Sequence, residues 1–189
     1  MREGDLPAVN LLVEHYQTAV FNLCLRMLST PQTAEDATQE AFIAAYRHLD
    51  KFRGGNFRSW LFRIAANACY DELRRRKARA TSSLDEPAGE GERRFDAPDP
   101  SPSPDDRAEQ AELRDVLADA LAAIPADQRL AVTLCDVQDL DYAEIAEVMQ
   151  CSLGTVKSRI ARGRLRLRAI LLAQQELLPS HFRPTSEKT

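Results

Sequence analysis

Lys157, Arg159, Arg162, Arg164, Arg166 and Arg168 fall in one short stretch, QCSLGTVKSRIARGRLRLR, and no acidic residue occurs between Gln150 and Gln175. Like charges on successive helical turns repel, and a helix face that serves solubility alone mixes both signs. The chemistry that suits such a stretch is contact with a polyanion, and nucleic acid supplies the countercharge. Positions Val156, Ile160, Gly163, Leu167 and Ile170 recur at helical spacing and define a buried face, so the cations lie around the rest of the helix. Ahead of it, DLDYAEIAEVM opens on an Asp141 to Glu144 cap, Gln150-Cys151-Ser152 makes a tight turn, and Ser152 can cap the basic helix. Helix, turn, basic helix is the outline of a motif whose second helix enters the major groove by its N-terminal part. That places Thr155, Lys157, Ser158, Arg159 and Arg162 near bases and phosphates, with Arg164, Arg166 and Arg168 further along as phosphate contacts or general electrostatics.

A second set lies upstream. Arg58, Phe62, Arg63, Asn67, Tyr70 and Arg74 share one side of a predicted helix, and RRRKAR follows at 74–79. Aromatic rings among cations suit single-stranded nucleic acid, because bases stack on rings while cations follow phosphates. Phe62 and Tyr70 packed under a neighbouring helix give the same periodicity, and spacing does not choose between the two. Asp36, Gln39 and Glu40 share one polar face of another helix. A docking face and a solvated first turn that complements the helix dipole read alike there.

These residues need elements to hold them. Val9, Leu12, Val13, Tyr16, Val20, Leu23, Cys24, Met27 and Leu28 recur at helical spacing, which predicts a long first helix. Thr33 is read as the cap of a second helix that runs to the Gly54-Gly55 break. A third begins near Asn56 with the stripe Phe57, Trp60, Leu61, Ile64, Ala65, Ala68, Cys69 and Leu73. From Thr81 to Ala108 the chain is acidic, proline-rich and nearly free of apolar residues, the composition of a linker. Leu113, Val116, Leu117, Ala120, Leu121 and Ile124 then form a helix ending at Pro125, and a short helix through Leu130 and Leu134 leads to the motif. The expected class is all-α: two small helical domains, 1–80 and 109–173, joined by a flexible acidic linker at 81–108 and followed by a tail at 174–189.

With 189 residues, 44% of them hydrophobic, and a net charge of −4, the chain is large enough for two small cores. The acidic total conceals segregation, since the linker and the helix after it carry most of the acids. No apolar run approaches the roughly 18 residues of a membrane span, and MREGDLPAVN has no signal core, so a cytoplasmic protein without membrane contact is expected. Cys24, Cys69, Cys135 and Cys151 are far apart and lack CxxC spacing, so they read as reduced structural residues. No metal, cofactor or enzymatic activity is expected, because there is no P-loop, Gly-rich nucleotide loop, His-Cys cluster or Ser/His/Asp set.

TAEDATQEAFIAAYRHLDKFRGGNFRSWLFRIAANACYDELRRRKAR resembles region 2 of extracytoplasmic-function (ECF) bacterial sigma factors, and AIPADQRLAVTLCDVQDLDYAEIAEVMQCSLGTVKSRIARGRLRLR resembles their region 4. The order of the two blocks and the short linker without a region 3 domain also match. The resemblance implies a dissociable subunit of core RNA polymerase that directs promoter-specific initiation. It implies docking of Asp36, Gln39 and Glu40 on the β′ clamp helices, and contact with the β subunit. For the melted minus-ten strand it implies Phe52 and Asn67 at a flipped-base pocket, Trp60 as a structural aromatic nearby, and Arg58, Arg63, Arg74 and Arg75 as further contacts. It implies Thr155, Lys157, Ser158, Arg159 and Arg162 at the minus-thirty-five duplex, and an anti-sigma factor as a further partner. Relatives carry a bulkier residue where this chain has Ala161, which predicts weak apolar contact there. The alternative is a stand-alone helix-turn-helix regulator, which leaves residues 6–79 without a role.

Overall fold

The computed structural model describes residues 5–82 and 104–174, and among these the regular structure is helical. The helices are α1 (Asp5–Leu28), α2 (Pro31–Arg47), α3 (Phe57–Ser82), α4 (Pro104–Ala123), α5 (Ala126–Asp136), α6 (Tyr142–Met149) and α7 (Leu153–Ala173), with a 3₁₀ turn at Leu49–Lys51. Of the segment read as linker, 83–103 lies outside the described residues, while α3 reaches Ser82 and α4 already begins at Pro104. Of the tail, 175–189 also lies outside.

α1, α2 and α3 pack as one bundle. α2 buries Ala34, Ala37, Ala41 and Ala45, a stripe of small side chains that lets its backbone lie close against Leu23, Met27 and Leu28 of α1 and Leu61 and Ala65 of α3. α2 begins at Pro31 with Thr30 as N-cap, not at Thr33. Proline's fixed φ and missing N–H suit the first turn, and Thr33 Oγ1 donates back to the Thr30 carbonyl at 3.1 Å. Arg76 of α3 closes this corner. Its guanidinium donates to the last-turn carbonyl of Leu28 at 2.9 Å, to Thr30 Oγ1 at 3.0 Å and to Thr33 Oγ1, while Nε meets Glu72 at 3.2 Å.

The second half is built on α5, whose residues Gln128 to Leu134 are all buried. Burial on every face follows from its position, with α7 against one side and α1 against another. Gly163 permits the first contact: a Cβ there would stand 2.7 Å from Val132 Cγ2 and 3.2 Å from the Gln128 carbonyl oxygen. Arg129 makes the second. It is 7% exposed and donates to Met27 O of α1 at 2.6 Å, and to Ala122 O at 2.6 Å and Ile124 O at 3.3 Å around the end of α4. The negative ends of two helix dipoles surround this cation where no carboxylate does, and burial depresses its pKa. The two halves therefore do not stand apart: their buried residues form one continuous cluster, from Val20 and Cys69 to Leu134, Ile145 and Ile160.

Candidate nucleic-acid interface

α6, the turn and α7 have the local geometry their residues require. Asp141 Oδ1 accepts from Glu144 N at 2.8 Å and Glu144 Oε2 accepts from Asp141 N at 2.9 Å, a complete capping box. Gln150 takes the left-handed conformation with φ 50° that ends α6, and Ser152 Oγ accepts from Thr155 N at 3.2 Å to start α7. Val156, Ile160 and Gly163 face the core. Lys157 and Arg162 are exposed, while Thr155, Ser158 and Arg159 are half-buried. The cations are less bare than the sequence of α7 implies, because α5 provides the missing acids. Arg159 pairs with Asp127 at 3.0 Å, Arg164 forms a two-pronged pair with Asp136, and Arg166 donates to Gln128 Oε1 at 3.0 Å. The Arg164 hydrogen bond holds the Asp136 carboxyl below the usual carboxylate range. Among the described residues, Arg162 bonds within its own helix, to Ser158 Oγ at 3.1 Å. Lys157 and Arg162 thus leave the N-terminal half of the helix open, and Arg168 is exposed near its other end.

The second surface is a hollow of about 350 Å³ at the start of α3, lined by Lys51, Phe52, Arg53, Gly54, Gly55, Asn56, Ser59, Trp60, Arg63 and Glu147. Gly54 and Gly55, at φ 91° and 97°, turn the loop around it in a conformation that side chains with a Cβ resist. Phe52 and Trp60 form its aromatic base, with Phe57 packed against both and ring centroids 5.4 to 5.5 Å apart. Asn56 caps α3 through Oδ1 to Ser59 N at 3.2 Å. Ser59 lines the hollow but is only 2% exposed, and its buried hydroxyl has no hydrogen-bond partner among the described residues.

Of the residues predicted for this surface, the structure brings Phe52, Trp60 and Arg63 together, with Asn67 exposed one turn further along α3. Arg58 is elsewhere: it donates to the Gln138 carbonyl and lies 5.4 Å above the Phe62 ring. Phe62 is fully buried, so it is core and not a stacking platform. Tyr70 is half-buried, and burial together with the Asp127 charge pushes its phenol up to about 12. Arg74 pairs with Asp71, and Arg75 with Glu40 at 3.3 Å and Glu72 at 3.5 Å.

On α2, Asp36, Gln39 and Glu40 are exposed along one face, and Ile43 continues it at 51% exposure. They line a depression of about 420 Å³ with Glu72, Arg75 and Arg79 of α3. An exposed apolar side chain inside a polar rim is the anatomy of a protein-binding face.

Residues 12–79 match the family model for sigma-70 region 2, and residues 114–167 match that for sigma-70 region 4. The ECF RNA polymerase sigma-E factor of Escherichia coli is 39% identical over 166 residues, which are 87% of this chain and 86% of that one. This chain is an ECF sigma factor. The RNA polymerase sigma-H factor of Pseudomonas aeruginosa is 40% identical over 183 residues, covering 94% and 92% of the two chains. Among solved structures, the sigma factor RpoE in complex with the anti-sigma factor NepR from Bartonella quintana matches with a TM-score of 0.65 and 26% identity, over 86% of this chain and 95% of that one. CnrH in complex with the cytosolic domain of CnrY matches with a TM-score of 0.64 and 27% identity, over 90% and 91%. As a sigma factor the chain binds core RNA polymerase and directs promoter-specific transcription initiation. Members of this family are initiation factors and not enzymes. Among the described residues of this sigma factor, no helix is long and apolar enough to cross a membrane.

Sequence reasoning missed Ser59, Arg76 and Arg129. Gly163 was legible as part of a buried stripe but not as a contact point. Nothing in the local sequence separates Arg76 from its neighbours in RRRKAR, because its partners are helix-end groups more than forty residues away.

Proposed function

We propose that region 2 and region 4 of this sigma factor read a promoter in two physical states. The observation that carries this reading is the hollow beside α3, with its aromatic side chains and cationic rim. A base extruded from a melted duplex loses a few kcal/mol of stacking and pairing, and a pocket with aromatic walls and hydrogen-bonding groups offsets that loss. Phe52, Trp60 and Arg63 supply such walls for the minus-ten strand, and Asn67 extends the surface along α3. Arg74 and Arg75 lie further down the helix, near the phosphates of the same strand. The duplex at minus-thirty-five meets α7 through Lys157 and Arg162, with Thr155, Ser158 and Arg159 at the rim. Segment 81–108 acts as the linker between the two readers, domains 1–80 and 109–173.

Asp36, Gln39 and Glu40, with Ile43 as the apolar centre, form the face that docks on the β′ clamp helices, and the β subunit holds region 4. An anti-sigma factor is a further partner, as it is for the RpoE of Bartonella quintana. The protein acts in the cytoplasm, where polymerase and promoter DNA are, and contributes no catalysis of its own.

The test is reconstitution with core polymerase. An Asp36→Ala/Gln39→Ala/Glu40→Ala variant is expected to lose co-elution on a sizing column. Asn67→Ala is expected to co-elute normally but to form fewer open complexes by permanganate footprinting. Full retention of the triple variant on core overturns the docking assignment, and undiminished melting by Asn67→Ala on every promoter tried overturns the strand assignment.

A further inference from the structure

A different cavity lies where α1 meets α4, α5 and α7. It is a groove of about 350 Å³, with the buried Leu25 and Val132 at its floor and Leu117, Leu121, Val137 and Leu167 along its walls. Leu117 is 36% exposed and Val137 42%, and neither belongs to the α2 docking face. Arg26 of α1 and Arg114 of α4 line the groove too. Arg26 is half-buried, and among the described residues it donates to a backbone carbonyl, Asn22 O at 3.2 Å, and meets no carboxylate. Burial without a countercharge depresses its pKa. Asp136, which also lines the groove, is already engaged by Arg164. The groove therefore suits a segment that brings large apolar side chains and an acid together.

We infer that the chain's own segment 175–182, QELLPSHF, docks in this groove, with Leu177, Leu178 and Phe182 against its apolar walls and Glu176 toward Arg26. Where the segment starts supports this. Leu167 is a wall of the groove, and α7 runs only from there to Ala173, so residue 175 begins about two helical turns, roughly 10 Å, from the groove. An extended chain recovers that distance in about three residues, which brings Leu177 and Leu178 within reach and leaves Phe182 length to spare. Composition supports it as well. Segment 83–103 offers only Leu84 and Phe95 as large apolar side chains, set apart among prolines and acids, whereas 175–182 holds three within six residues. Glu176, next to the two leucines, is the acid that Arg26 lacks.

A tethered segment meets its groove at an effective concentration in the millimolar range, so it docks through contacts too weak to hold a free peptide. Docked, it covers Leu117 and Val137, which otherwise face water, and places an anion beside a half-buried cation. It also touches α1 on one side and α4, α5 and α7 on the other, so the end of the chain becomes part of the packed structure. This docking is independent of how the chain reads a promoter.

The experiment is hydrogen exchange of the full chain read by mass spectrometry, with the amides of 176–182 as reporters. In the wild type they are expected to exchange about tenfold more slowly than in a free peptide of the same sequence. Leu117→Ser/Val137→Ser, which alters the groove and leaves the segment untouched, is expected to return them to the peptide rate. Glu176→Arg is expected to lower the protection about threefold, and adding Arg26→Glu to restore it. A segment that merely continued α7 as a helix would respond to neither change. Circular dichroism checks the helices, and if the groove variant unfolds, the charge exchange between residues 26 and 176 carries the test. Exchange at the peptide rate in the wild type overturns the docking. Protection that survives the groove and charge variants overturns it too, because the segment is then ordered elsewhere. Protection that rises with protein concentration assigns the groove to the tail of a second copy and overturns docking within one chain.

Discussion

α3 and α7 both carry dense runs of arginine, yet they use them differently. In α3, Arg76 turns to carbonyl and hydroxyl groups at the α1–α2 corner and Arg58 to the Gln138 carbonyl, while Arg63 lines the hollow and Arg74 and Arg75 stay at the surface beside carboxylates. In α7 the flanking cations Arg159 and Arg164 are drawn aside by Asp127 and Asp136 of α5, while Lys157 and Arg162 remain exposed. Whether an arginine is available to DNA is therefore decided by the carbonyls and carboxylates that surround it, and not by how many arginines precede it. A guanidinium with five donors in a fixed fork ties helix ends together as readily as it binds a phosphate.

The sharpest way to break this contrast is to treat Arg76 as if it were a DNA contact. Arg76→Ala is expected to cost about 2 to 3 kcal/mol of stability, from loss of charge-assisted bonds to half-buried acceptors. A shifted denaturation midpoint with an unchanged m-value would show it, and a stable variant defective only in promoter binding would erase the distinction between the helices. Lys157→Ala or Arg162→Ala should do the reverse. Stability is expected to stay within about 0.5 kcal/mol, while promoter affinity of the holoenzyme falls by about 1 kcal/mol, roughly fivefold, and its salt slope by about 1.

The smallest effect belongs to the pair that holds α7 to α5. Asp136 has its carboxyl lowered from 3.8 by Arg164, so its contribution is complete above that pH and is lost as pH falls through the depressed folded value. Partial exposure keeps it under about 1 kcal/mol. Stability curves of wild type and Asp136→Asn should therefore run parallel near neutrality and converge in acid. Convergence on raising the pH would reverse the sign and refute the assignment.

Much of the fold is legible in the amino-acid sequence. The caps at Asp141 and Ser152, the turn between them and the buried face Val156, Ile160 and Gly163 stand where spacing puts them, because capping and periodicity act within a few residues. Spacing misplaces the start of α2 by three residues, since Pro31 opens the helix at its first position without a side-chain cap from Thr30. Phe62 could not be placed from spacing. α3 is covered on more than one side, by α1 and α2 and again by α6, and periodicity assumes one buried face. The hollow is half legible: Phe52, Trp60 and Arg63 meet there, but Ser59 and Glu147 enter it only through the loop's turn and the approach of region 4.

The sequence by itself determined the helices, their caps, the faces they bury and the family to which the order of the two blocks points. Each of these rests on residues within a few turns of one another. Only the tertiary structure decided which cations stay open, that Arg129 would bind a carbonyl 102 residues away in Met27, and that Glu144 would meet Asn56 across 88 residues. Such pairs form between groups that no local pattern relates. Backbone carbonyls at helix ends carry no mark in the sequence, and a carboxylate that neutralises an arginine does so from wherever packing brings it.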